Sequence, residues 1–381
     1  MNTLSASELV QLVRSVFPSL SGDRRLAVLV DLPRDPLSDN DPWRERRAMA
    51  AEWAAALRAG SADLDLEGVT LVAYPDVGSN NAELPAEAVA IEGALPDTAA
   101  GLASAGRIVP LAEVFAAHQL YLAPTEFSTT APLKNAAKRF GFRAATMPGF
   151  AASMVPALRI DYGRVAERVD ALKTRLDAAD GAEIVLAAGG IDHRMYIDLR
   201  FRSAHSSTGR FPEAGTAGNL PSGEAYIVPY EGERGAASLT AGSLPVDTGE
   251  GLVVFAVAGN KAVSAGGEEP GASKERAHLF SEPAYGNMAE LGFGVLADFG
   301  LAPVGEILLD EKLGLHIAFG RSDHFGGQVG PKDFSSPAQV IHLDRIYIPE
   351  SQPRVAVRLV EFIYPDGRRE EIIRDGAYRI F

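Results

Sequence analysis

The run RLAVLVDL at Arg25–Leu32 is short, apolar and rich in branched residues. It ends in the Pro- and Asp-rich loop LPRDPLSDNDP (32–42), the punctuation expected where a buried strand leaves a sheet. WRERRAMAAEWAAALRA (43–59) follows, with the alanine content and apolar spacing of a helix and Gly60 as its C-cap. VTLVAY (69–74) reads as a second strand. Strand, helix, strand in that order opens a parallel, doubly wound layer.

The alternation continues through AELPAEAVAIEGAL (82–95), LAEVFAAHQLYLAP (111–124) and TAPLKNAAKRFGFRAATMPG (130–149), helix-like segments divided by short apolar runs, Pro or Gly. DYGRVAERVDALKTRLDAAD (161–180) is the clearest amphipathic helix, with Val165, Val169, Leu172 and Leu176 spaced by four, three and four. At the other end, MNTLSASELVQLVRSVF (1–17) reads as a polar-capped helix rather than a signal peptide.

From about residue 182 the texture changes. EIVLAAGG, MYIDLRF, EAYIVPY, GLVVFAVAGNKAV, VAVRLVEFIYPDG and AYRIF are apolar or alternating runs separated by Gly, Ser and Pro, the pattern of a mostly antiparallel sheet. SAGGEEPGASK (264–274) reads as an exposed loop, with a helix in the residues that follow. A chain of 381 residues is too long for one ordinary core. The expected fold is therefore α/β: an N-terminal α/β domain with a parallel sheet (1–185), then a β-rich α+β domain (186–381).

Composition narrows the function. A net charge of −14 with no segregated basic face argues against a nucleic-acid partner, whose phosphates would be repelled. No uninterrupted apolar run approaches the roughly 18 residues of a membrane span, so the expectation is a cytoplasmic protein without a membrane partner. The absence of cysteine excludes disulfides, thiolate metal sites and cysteine nucleophiles. The N-terminal half lacks the glycine pattern of a dinucleotide fold or a P-loop.

The chemistry gathers between residues 289 and 344. Glu290, Glu311, His316, His324, His342 and Asp344 fall there, three of them among the seven histidines of the chain. Imidazole and carboxylate are the donors from which a cysteine-free chain builds a site for a borderline divalent ion. In VIHLD, His342 and Asp344 would share one face of a strand. Glu290, in AELGFG, is costly to bury unless it meets a cation or donors. Taken singly, each also has an ordinary explanation: a surface hydrogen-bonded pair for His342 and Asp344, a satisfied core histidine for His316, and a solvated turn-end charge for Glu224 in PSGEAY.

Together the segments say more. GNLPSGEAYIVPYEG, NMAELGFG, ILLDEKLGLHIAFG, FGGQ and IHLD stand in an order and spacing that resembles the aminopeptidase T family of metallopeptidases, peptidase family M29. The resemblance is strong over 219–344. It is looser in the N-terminal half, where LAPTEFSTTAPLKNAAKRFGFRAATMPG is similar to a strand–helix segment of the family.

The resemblance implies two divalent metal ions, zinc, cobalt or manganese, held by Glu224, Glu290, His316, His342 and Asp344. It implies a cytoplasmic metallo-aminopeptidase, a homodimer, acting on peptides or small amino-acyl substrates through a water activated by the two metals. Glu311 would support the ligands or transfer protons, or else be a surface charge or the partner of Lys312 in an ion pair. Where the family carries a tyrosine, this chain reads RSDHFGG, so His324 either takes over as donor to the tetrahedral intermediate or is an exposed loop residue. The rival implied by the same fold is a ring-cleaving dihydroxypyridine dioxygenase with a single ferrous ion. In that branch a histidine replaces Glu290 and the Glu224 position is not acidic. A non-catalytic descendant that binds peptide is the third possibility.

Overall fold

The computed structural model describes residues 3–381; Met1 and Asn2, at the head of the expected first helix, lie outside them. The chain divides into two units. One comprises Met1–Ala166, Ser207–Ser222 and Val304–Leu309, the other Glu167–Ser206, Gly223–Pro303 and Asp310–Phe381. The expectation of one boundary between 185 and 186 takes the domains as consecutive. Here the division falls within the helix Tyr162–Ala178, and two later segments belong with the first unit.

The first unit is built on a seven-stranded sheet in the order Ala217–Asn219, Arg143–Thr146, Leu120–Ala123, Arg25–Leu32, Gly68–Pro75, Glu87–Ile91, Gly106–Pro110. The first five strands are parallel. Glu87–Ile91 and Gly106–Pro110 add an antiparallel edge, so the sheet is mixed rather than wholly parallel. Residues 82–95, expected to be helix-like, hold the strand Glu87–Ile91 instead. Ala88, Val89 and Ile91 are buried, and that burial with strand pairing outweighs a weak helical preference.

Other local rules hold. Ser5 and Glu8 form a capping box at the start of Ala6–Val16. Asn40 accepts from the Trp43 amide ahead of the helix Asp41–Ala59. Among the described residues no helix is long and apolar enough to cross a membrane.

The second unit holds two sheets. The larger is antiparallel, in the order Lys261–Gly266, Leu252–Ala258, Ala241–Asp247, Ile191–Asp198, Gly181–Ala188, Val355–Ile363, Arg369–Arg374, Ala377–Tyr378. The expected loop at 264–274 is shorter than its composition suggests, because its ends are taken by the strand Lys261–Gly266 and the helix Pro270–Ser281. The smaller sheet runs His342–Ile346, Leu315–Gly320, Met288–Gly294, Glu224–Ile227, His205–Ser207.

One face of the smaller sheet packs on the larger. Phe319 meets Phe255 at 5.0 Å and Phe293 meets Phe362 at 5.4 Å, both edge to face. Strand side chains alternate between faces. With Leu291, Phe293, Ile317 and Phe319 turned inward, Glu290, Gly292, His316 and Ala318 must line the opposite face.

Candidate metal centre

The opposite face of the smaller sheet collects the chemistry, and its cross-strand register explains how. Glu224 lies opposite Gly294, and Tyr226 opposite Gly292. Gly292 in turn faces His316, and Glu290 faces Ala318. On the last strand His342 lies opposite Gly320 and Asp344 opposite Ala318. Every acid and imidazole of the cluster therefore has a glycine or alanine as its neighbour across the ladder, which leaves room for the functional groups to converge. At Gly292 the need is steric: a Cβ there would lie 1.9 Å from His316 Nε2. At Gly294 a Cβ would strike the Lys312 carbonyl carbon at 2.1 Å, so glycine admits the backbone that carries Glu311 and Lys312. A register irregularity between Met288 and Glu290 re-aims the chain just before the carboxylate.

The five residues implied as ligands come together, all within the second unit. Glu290 is central: its Oε1 lies 3.2 Å from His316 Nε2 and its Oε2 3.4 Å from His342 Nε2. His342 Nε2 is 3.6 Å from Asp344 Oδ1, and His316 Nε2 is 3.6 Å from Glu224 Oε2. Both imidazoles are aimed by their other nitrogen. His342 Nδ1 donates to the Arg321 carbonyl at 2.7 Å, and His316 Nδ1 to the Gly314 carbonyl at 3.2 Å. Backbone partners of this kind fix ring orientation and turn Nε2 toward the centre.

Ligand atoms of Glu224, Glu290 and His316 lie within 4.8 Å of one another, all three residues buried. Glu224 Oε2 is a buried oxygen without a hydrogen-bond partner, costly unless a cation or donor meets it. Oxygen and imidazole donors in this mixture fit a borderline divalent ion.

The electrostatics show what holds the cluster without an ion. Burial alone would raise the Glu290 carboxyl, but hydrogen bonds from His316 and His342 hold it far below the usual range. Burial would likewise lower the His316 imidazole, yet Glu290 and Glu224 outweigh it and push it up to about 9. His342 is raised by Asp344 and Glu290 against the same opposing burial.

Lys312 is the residue whose importance the sequence hides. Its ammonium is buried, 2.6 Å from Glu224 Oε1, and hydrogen-bonded to Glu311 as well. The only signal in sequence is a lysine directly after Asp310 and Glu311 in an otherwise apolar segment. Burial pushes the Glu311 carboxyl up to about 7, with the Glu224 and Asp344 charges adding to the rise and Lys312 opposing it. His324 stands further out, its ring 5.1 Å from that of His342 and its side chain 32% exposed. Burial and the His342 charge lower it to about 4.

The two units and their three sheets define an α/β fold. No family model and no curated protein matches the chain. Among solved structures it is similar to a 2,5-dihydroxypyridine dioxygenase from Pseudomonas putida KT2440, with a TM-score of 0.58 and 17% identity over 98% of both chains. It is also similar to wild-type AmpT from Thermus thermophilus, with a TM-score of 0.54 and 15% identity, again over 98% of each. At these identities the likeness is one of fold.

Proposed function

We propose that the chain is a metal-dependent aminopeptidase that hydrolyses the first peptide bond of a peptide or small amino-acyl substrate. The observation that carries this reading is Glu290, whose two oxygens face two different imidazoles, with Glu224 beyond His316 and Asp344 beyond His342. Glu290, with Glu224, His316, His342 and Asp344, would hold a pair of divalent ions. The fold shared with AmpT supports the reading at the level of fold.

Bound divalent ions supply Lewis acidity, which lowers the pKa of water and polarises a carbonyl. The chain's own groups do the rest. Glu311, titrating at about 7, is matched to take a proton from water and return it to the departing amine. Lys312 holds Glu224 and Glu311 against each other's charge. His324 is neutral at neutral pH, so it serves as a hydrogen-bond donor to a developing oxyanion rather than as an acid.

The second reading is ring cleavage, favoured by the likeness to the dioxygenase; the two glutamates in the donor set weigh against it. Elemental analysis of the purified protein, with an assay of the metal-reconstituted form on amino-acid anilides and short peptides, separates the two. Two redox-inert ions and turnover abolished by Glu290→Ala support hydrolysis. A single iron and no turnover on any member of the panel would overturn it.

A further inference from the structure

Residues 220–230 are buried except at one position, Tyr226. Two residues beyond Glu224 on the same strand, its ring stands on the site face, over the space that Gly292 leaves beside His316. Two rings pack on it and a third packs on one of those. His205 stacks at 5.1 Å and 25°, and Phe325 meets it at 4.9 Å and 63°. His324 packs on Phe325 at 3.9 Å. The group reaches the metal donors, since the Phe325 and His324 rings lie 5.6 and 5.1 Å from the His342 ring.

Tyr226 and Phe325 are half-buried, and a partly accessible aromatic cluster beside a polar centre is more than core packing requires.

The loop that supplies two of the rings is held in place. Glu231 accepts from Ser322 Oγ at 2.7 Å and from the Gln328 amide at 2.5 Å, and it is anchored in turn by Asn287 Nδ2 at 2.8 Å. Arg202 reaches the Gly326 carbonyl at 3.0 Å, and the Phe325 carbonyl lies 3.0 Å from His205 Nε2. Glycine is needed at 327, where a Cβ would lie 2.1 Å from Ser322 Oγ. A wall fixed at both ends has a shape before any ligand arrives, so binding costs little ordering.

We propose that this wall selects the substrate: Tyr226, His324 and Phe325 take a planar aromatic group beside the metal donors. On the hydrolytic reading, on which this assignment of the ligand's source rests, that group is the side chain of the first residue of a peptide. Aromatic rings gain from edge and offset contacts beyond the area they bury, and Phe325 is the wall's largest apolar face.

The test is calorimetric titration of the metal-loaded full chain with L-phenylalanine hydroxamate, L-alanine hydroxamate and 2,5-dihydroxypyridine. The phenylalanine compound should bind at least about ten-fold more tightly than the alanine compound, a difference on the order of a few favourable ring contacts. Phe325→Ala should shrink that ratio to about two-fold or less, with bound metal retained. Phe325→Leu, which preserves bulk, should give an intermediate ratio and guards against a folding defect.

Equal affinity of the two hydroxamates for the wild-type protein, with dihydroxypyridine no tighter, overturns the inference. So does an equal loss for both hydroxamates in Phe325→Ala and Phe325→Leu. Tight binding of dihydroxypyridine with weak binding of both hydroxamates would uphold the aromatic wall while overturning the peptide reading.

Discussion

Gly292 decides whether His316 can reach the centre. With a Cβ placed 1.9 Å from Nε2, Gly292→Ala must push the imidazole out of line, and misaligned ligands lose roughly ten- to hundred-fold in metal affinity. Titration against a competing chelator should read that loss. An unchanged affinity would place His316 outside the ligand set. Lys312 poses the complementary problem, because its buried ammonium pairs with both Glu224 and Glu311 and opposes the rise that burial imposes on their carboxyls. Lys312→Met keeps the chain length and removes the charge, and breaking a buried pair in this way costs about 3–5 kcal/mol. The melting temperature of the metal-free variant should fall accordingly. Lys312 also opposes the rise of Glu311, so its removal moves that carboxyl above about 7. If Glu311 is the base, the acid limb of the pH–rate profile shifts to higher pH; an unshifted limb would assign that limb to another group.

At the scale of elements, the helices Asp41–Ala59 and Tyr162–Ala178 were legible because their apolar residues recur at helical spacing, and Val165, Val169, Leu172 and Leu176 are all fully buried. The strand Glu87–Ile91 was not, since its pairing partners are invisible to a local reading. The strands of the site could be read one residue at a time but not as a floor. Glu290-x-Gly292-x-Gly294 and His316-x-Ala318-x-Gly320 alternate a functional residue with small ones along each strand, yet the meaning of those small residues lies in the register with the neighbouring strand. Glu231 escaped for the same reason, its partners lying far along the chain at Asn287, Ser322 and Gln328. Glu231→Ala would leave those donors unpaired, at about 1–3 kcal/mol for each one left buried. Hydrogen exchange should then accelerate in residues 321–330 and spare the strand Leu315–Gly320. Unaltered exchange in the loop would mean that its own turns hold it.

For the molecule as a whole, the cluster couples stability to pH and to metal in opposite senses. In the metal-free protein the His316 imidazole sits at about 9 against an ordinary 6.5. A raised histidine contributes stability that is complete below the unfolded value and is lost as pH rises through the folded one. Glu224 and Glu311 are acids raised by burial, so their contribution also fades as pH climbs, for Glu311 between its ordinary 4.5 and about 7. Glu290 and Asp344 are lowered, and what they add disappears only when pH falls below the ordinary carboxylate range. Across these groups stability is therefore lost with rising pH between about pH 5 and 9 when no metal is bound; His324, lowered to about 4, gains up to its ordinary 6.5 and opposes them below that value. Metal ligation needs the imidazoles neutral and the carboxylates ionised, so the loaded form gains over the same interval. Asp31, raised by burial to about 6 in the first unit, titrates alike in both forms and cancels in the difference. The gap in melting temperature between loaded and chelated protein should thus widen steadily from pH 6 to pH 8.5, and calorimetric loading at neutral pH should release protons to the buffer. A gap that stays constant or narrows would show that no ion draws on His316 and His342, and the proposal of hydrolysis would go with it.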